Sequence, residues 1–141
     1  MDIYIAASWQ QAAAVDLLAA RLRDQGHEVF AFTEQAELGL APKSDWYESP
    51  AGYRVWCADM QACVGADLVL YLGGGCDAWA EVGAAWSVGV PVLGLRTKGE
   101  AVGIQRRMVM RWCDTVAELL AGVADVARDL AAGVRPGNTH A

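Results

Sequence analysis

The stretch from Asp67 to Leu95 limits what this chain can fold into more than any other part of it. Two short apolar runs, Leu68 to Leu72 and Val90 to Leu95, flank a glycine triplet, Gly73-Gly74-Gly75, and a helical pattern over Asp77 to Val88. Each run is rich in Val and Leu and is bounded by Gly, Pro or Asp. Strands buried on both faces of a parallel sheet read this way. The segment is therefore a strand–loop–helix–strand unit. In such a unit the loop after the first strand lies at the carboxyl edge of the sheet, where open α/β folds bind ligands. One charge, Glu81, stands in the middle of the otherwise apolar helix. A carboxylate there faces either solvent or a site.

The rest of the chain repeats the theme. Asp2 to Ala7 reads as a first strand, and Ser8 stands at the strand-to-helix junction, where a hydroxyl can cap a helix. Gln10 to Asp24 carries Val15, Leu18, Ala19 and Leu22 at helical spacing, with Gly26 as the terminating residue. His27 to Thr33 is a second strand. Glu34 to about Pro50 has no clean period, and a loop of this length in a compact domain is expected to be a lid or binding loop. Ala51 to Gly65 is a second helix whose only carboxylate is Asp59. After the central unit and a loop over Thr97 to Gln105, Met108 to Trp112 is expected as a short fifth strand. Thr115 to Glu118 has the T-x-x-E form of a capping box, opening a last helix that runs to about Ala132. The order implies a doubly wound, Rossmann-like or flavodoxin-like parallel sheet of about five strands.

Composition narrows the function. At 141 residues the chain is one domain of ordinary size, expected over residues 1–132, with a disordered tail over 133–141. It is 55% hydrophobic, yet no apolar stretch approaches the roughly 18 residues that span a bilayer. The opening MDIYIAASW lacks the basic region of a secretory signal, so a cytoplasmic location is expected. A net charge of −6, with no basic cluster beyond Arg106, Arg107 and Arg111, argues against a nucleic-acid polymer as partner. Cys57, Cys63, Cys76 and Cys113 are scattered without CxxC spacing, so neither a metal site nor a disulfide framework is expected, and no cofactor is called for. Six tryptophans in so apolar a chain exceed what a small domain needs to hide, which points to at least a dimer.

Three features resemble the nucleoside 2-deoxyribosyltransferase family, which also contains nucleotide N-glycosidases. The opening IYIAASW is similar to that family's first strand, which ends in small residues before an aromatic. Asp59-Met-Gln-Ala-Cys-Val-Gly-Ala-Asp67 resembles its helix-to-strand element. Ala80-Glu81-Val-Gly83-Ala84-Ala85 followed by Gly89-Val-Pro91-Val92 is similar to its E-x-G-x-A … G-x-P-V signature. The match runs from the first strand to the last helix. It implies a nucleoside or nucleoside 5′-monophosphate as substrate, N-glycosidic cleavage or base transfer as activity, and a homo-oligomer in which a neighbour helps to close the site. One position departs: many transferases of the family carry Asp six residues before the catalytic Glu, some nucleotide-hydrolysing members carry Ser, and here Gly75 stands.

By resemblance, Glu81 is the nucleophile, and Asp59 the second carboxylate, which orients or protonates the base. Cleavage of an N-glycosidic bond passes through an oxocarbenium-like state that a carboxylate stabilises or captures, while a second acid protonates the leaving group. Asp59 reads equally well as an exposed helix charge. Asp77 is either a substitute acid or the N-cap of the helix that carries Glu81. The amides of Gly73, Gly74 and Gly75 either cradle a ligand at a helix N-terminus or make a tight turn. Ser8 and Trp9, at the end of the first strand, are expected to face the same cleft. Trp46 and Tyr47 either stack on a base or join a local core. Tyr4 is expected to pack in the sheet; His27 and His140 are not candidates. Two classes remain: a glycosidase or transferase, and a binding module that keeps the pocket without turnover. Gly75 favours the second.

Overall fold

The computed structural model describes residues 1–35, 44–98 and 102–137. Its five strands are β1 (Asp2–Ala6), β2 (Glu28–Ala31), β3 (Leu68–Tyr71), β4 (Val92–Leu95) and β5 (Arg111–Cys113). They form one sheet in the order β2-β1-β3-β4-β5, and every neighbouring pair is parallel. The helices among the described residues are α1 (Ala12–Asp24), the single turn α2 (Ser44–Tyr47), α3 (Pro50–Gly65), α4 (Cys76–Ser87) and α5 (Val116–Ala131). No helix among them is long and apolar enough to cross a membrane.

Alternation along the strands divides the core into two layers. Ile3, Ile5, Leu68 and Leu70 point to one face and pack with Val15, Leu18 and Leu22 of α1 and Leu119, Val123 and Val126 of α5. Tyr4, Ala6, Val69 and Tyr71 point to the other, against Cys63 of α3 and Ala78, Val82 and Ala85 of α4. Both faces of the central strands are covered, which is why those strands read as unbroken apolar runs. α3 and α4 therefore lie side by side on one face of the sheet, and each carries one of the two carboxylates singled out by the sequence.

The order reverses between β1 and β3. From β1 the chain moves outward to β2, then returns across to β3 and continues through β4 to β5. Such a switch point opens a crevice at the carboxyl ends of the two strands. Here the crevice floor is tied by the Leu72 N–H donating to the Ala6 carbonyl at 3.0 Å and the Ser8 N–H to the Gly73 carbonyl at 3.1 Å. At the opposite edge Asp67 is structural, as its place at a strand start suggests: its carboxylate accepts from the Asp2 N–H at 2.8 Å.

Several boundaries move. Trp9–Gln11 forms a 3₁₀ turn, so α1 starts at Ala12 rather than Gln10. Gly26 does close α1: its N–H bonds the Arg23 carbonyl, and the His27 N–H bonds that of Leu22. β2 ends at Ala31 because Phe32–Glu34 turns back as 3₁₀ helix. The fifth strand occupies Arg111–Cys113, later than Met108–Trp112, because Ile104–Met108 is a 3₁₀ helix on the connection from β4. Half of the capping box at α5 forms, with Thr115 Oγ1 accepting from the Glu118 N–H at 3.1 Å, while the Glu118 carboxylate accepts from the Asp114 N–H, one residue before the N-cap, at 2.8 Å. In the expected lid, residues 36–43 lie outside the described residues, as does the tail at 138–141; the described remainder of that loop holds the Phe32–Glu34 turn's end and α2.

Candidate active site

A cavity of about 1180 Å³ occupies the crevice above the switch point. Ser8, Trp9, Trp46, Asp59, Gly73, Gly74, Gly75, Asp77 and Glu81 all line it. All nine candidates from the sequence thus meet at one place, although they come from four separate segments.

Glu81 lies in the second turn of α4, one helical turn deeper than the start of the helix. It is 9% exposed and is the one buried charged side chain among the described residues. Burial raises its pKa to about 8, with the charge of Asp59 the next cause and that of Asp77 a further one. Asp59, half-buried on α3, is pushed to about 6, again chiefly by burial. Its rise is smaller because Gln35 Nε2 donates to its Oδ1 at 2.7 Å, which favours the charged form. Burial thus acts more strongly on Glu81 than on Asp59, and Glu81 holds its proton the more tightly of the two.

Tyr4 does pack in the sheet, its ring stacked on Phe30 with centroids 5.5 Å apart. Its hydroxyl does more. It is fully buried and faces the two carboxylates, lowering the pKa of both, while its own burial and then their charges raise the phenol pKa. Within ordinary hydrogen-bond limits the hydroxyl has no partner among the described residues. A buried O–H without a full partner is costly, so this donor is poised toward two acceptors and committed to neither. The sequence holds the signal for it: the alternation Ile3-Tyr4-Ile5 sends Tyr4 to the face opposite its neighbours, and a buried tyrosine hydroxyl needs an acceptor.

The glycine triplet splits into three cases. Gly73 has φ +93, a left-handed conformation that favours glycine, and a Cβ there would meet Thr97 Oγ1 at 2.8 Å. A Cβ on Gly74 would meet Ala78 Cβ at 2.7 Å and the Ser8 nitrogen at 3.0 Å, so the turn passes too close to β1 for any side chain. Gly75 needs neither dispensation. Its φ of −82 suits any residue, and a Cβ would meet nothing within 4 Å. Gly75, not Asp77, is the N-cap of α4, and it offers no side-chain cap; Asp77 is exposed in the first turn at the cavity rim. Gly75→Asp is accordingly expected to leave stability unchanged or raise it by a few tenths of a kcal/mol through N-capping. Thermal unfolding checks this, and a loss above about 1 kcal/mol would contradict the open space seen at Gly75.

Ser8 is half-buried and caps the 3₁₀ turn through its backbone only. Trp9 stands edge-on to Phe32 at 5.3 Å. Trp46 combines both of its readings: it borders the cavity and also packs against the core layer of α1 and α5. Four further residues, Gln35, Thr97, Lys98 and Gln105, were not legible beforehand. Gln35 holds Asp59, and the other three line the cavity from the connection after β4. Among the described residues no group of three His, Cys, Asp or Glu side chains is placed to hold a metal ion.

No protein-family model matches the chain, and no curated protein matches its sequence. Solved structures do match its shape. A 2-deoxyribosyltransferase from Bacillus psychrosaccharolyticus superposes with a TM-score of 0.67 at 21% identity, over 84% of this chain and 90% of that one. A conserved protein from Enterococcus faecalis V583 gives 0.68 at 18% identity, over 89% and 98%. The CMP N-glycosidase BcmB of Clostridium botulinum gives 0.59 at 16% identity, over 88% and 99%. The fold is thus that of a deoxyribosyltransferase and of a nucleotide N-glycosidase, covering nearly the whole chain.

Proposed function

We propose that this protein cleaves the N-glycosidic bond of a nucleoside or nucleoside 5′-monophosphate, with Glu81 as nucleophile and Asp59 as general acid. The premise is the fold shared with a deoxyribosyltransferase and an N-glycosidase. The observation that carries the reading is the pair itself: a buried carboxylate and a half-buried one, from adjacent helices, in one crevice beside an unsatisfied phenol. A buried carboxylate with no cation against it among the described residues costs stability, so its retention calls for a use. In the step, a Glu81 oxygen bonds to the anomeric carbon as the carbon–nitrogen bond breaks. The bonding pair leaves with the base, and the Asp59 carboxyl supplies the proton that the base nitrogen takes up. Water then hydrolyses the glycosyl ester, Asp59 taking its proton; in a transferase a second base would do so instead. The Tyr4 O–H holds the Glu81 carboxylate toward the sugar and bears part of its charge.

The acid–base states set the pH dependence. Below about 6 both carboxyls are protonated and the nucleophile is lost; above about 8 both are ionised and the acid is lost. Between these limits the pair holds one proton, kept mainly on Glu81; the reactive form is the one in which that proton has passed to Asp59, and the two apparent values belong to the pair. Incubation with a panel of nucleosides and their 5′-monophosphates is expected to release free base, with kcat/KM bell-shaped between those limits. A second reading, a binding module that retains the pocket, draws on Gly75, where the cavity wall lacks a side chain that its backbone would accept. Binding of a nucleotide without release of base from any member of the panel would favour it.

A further inference from the structure

The cavity exceeds what a nucleoside fills. Pockets that enclose a drug-sized ligand run to roughly 300–1,000 Å³; this one is about 1180 Å³, and a nucleoside is small within that class. The α3 side of the mouth is lined by Tyr53 and Trp56. Tyr53, Trp56 and Asp59 follow one another at three-residue intervals along α3, each step rising about 4.5 Å. α3 runs opposite to the strands, so Asp59 is the deepest of the three and Tyr53 the outermost. Tyr53 and Trp56 line the cavity, yet are 63% and 53% exposed, and their rings lie 5.8 Å apart at an angle of 34°. Tyr47, 53% exposed on α2, stands at the same mouth. Aromatic faces of this size left in water inside a cavity are unspent binding surface.

We propose that Trp56 and Tyr53 form a subsite for a flat apolar group carried on the base, so that the preferred substrates have a ring-bearing substituent on the edge of the base away from the sugar. The inference rests on the glycosidase reading, because it takes the base to lie at Asp59. From there the helix leads outward through Trp56 to Tyr53, and a substituent leaving the far edge of the base passes along that line. Stacking on exposed aromatic side chains tolerates many flat groups; the subsite therefore selects for a ring and not for one particular substituent.

The test compares adenosine and cytidine, each as nucleoside and 5′-monophosphate, with the same compounds carrying a benzyl group on the exocyclic amine. Affinity is measured by calorimetry, and base release is followed in parallel. The benzyl compounds are expected to bind on the order of tenfold more tightly than their parents. Trp56→Ala should remove most of that advantage and Tyr53→Ala part of it, while affinity for the parents moves less than about threefold. Trp56→Phe should restore most of the advantage. Equal affinity of parent and benzyl compound, or an advantage that survives both alanine substitutions, overturns the subsite and leaves the glycosidase reading standing. If no compound binds or is cleaved, the glycosidase reading fails first and the subsite falls with it.

Discussion

Glu81→Ala is expected to lower the rate of base release by three orders of magnitude or more, with the fold unchanged. The expectation rests on where the side chain sits. It is almost fully withdrawn from water, in the second turn of α4, at the crevice between the carboxyl ends of β1 and β3. Its neighbours Val82 and Ala85 belong to the core layer beneath the sheet, so α4 is anchored without it. Alanine is also a better helix former than glutamate. A surface glutamate would give a change in rate too small to measure. Asp59→Asn should be milder and should slow most those substrates whose base leaves poorly without protonation. Single-turnover assays on the two variants check both statements, and a Glu81→Ala protein that releases base at the wild-type rate would remove Glu81 from the mechanism.

Glu81→Gln should make the protein more stable than wild type by a few kcal/mol at about pH 8, while abolishing activity. The folded state holds the Glu81 proton more tightly than the unfolded state, since the pKa moves from 4.5 to about 8 on folding. Asp59 moves the same way, from 3.8 to about 6. The stability that these groups contribute is therefore fully present below the unfolded values and is lost as pH rises through the folded ones. Wild-type stability should fall between about pH 3.8 and pH 8, the Asp59 part being exhausted near 6 and the rest belonging to Glu81. Denaturant titrations from about pH 4 to about pH 9 on wild type, Glu81→Gln and Asp59→Asn would separate the two parts. If wild type and Glu81→Gln trace parallel curves above pH 6, the Glu81 carboxyl is solvated and no trade of stability for reactivity is being made.

The sheet was legible in the sequence, for a definite reason, whereas Asp59 read equally well as an exposed helix charge. Buried parallel strands have no polar face, so LVLYL and VPVLGL announced themselves, and Glu81, in the middle of the helix between them, stood out as facing either solvent or a site. The N-cap of α4 was misjudged because Asp is the better capping residue by chemistry, whereas the turn at Gly73 and Gly74 brings the helix start two residues earlier. Tyr4 was read only as packing, since its hydroxyl gains meaning from the helix pair above it, and no local pattern reports which helices will lie on which face. Gln35, Thr97 and Lys98 were missed for a related reason. They sit in connections without periodicity, and only the parallel topology gathers those connections at one edge.

The pairing of β1 with β3 has a consequence for how the site comes into being. Asp2 and Asp67, bonded at the lower end of that seam, are 65 residues apart in the chain; Asp59 and Glu81 meet in the crevice at its upper end, with the Tyr4 hydroxyl facing them from mid-strand. No fragment shorter than residues 4–81 contains the constellation, and contacts of such long range form late, after the entropy of closing the intervening chain has been overcome. A partly folded chain can thus hold helices and a collapsed core and still present no pocket. Any compound that occupies this crevice recognises only molecules whose central seam has closed. It should therefore shift the folding equilibrium itself, by an amount set by its concentration relative to its dissociation constant.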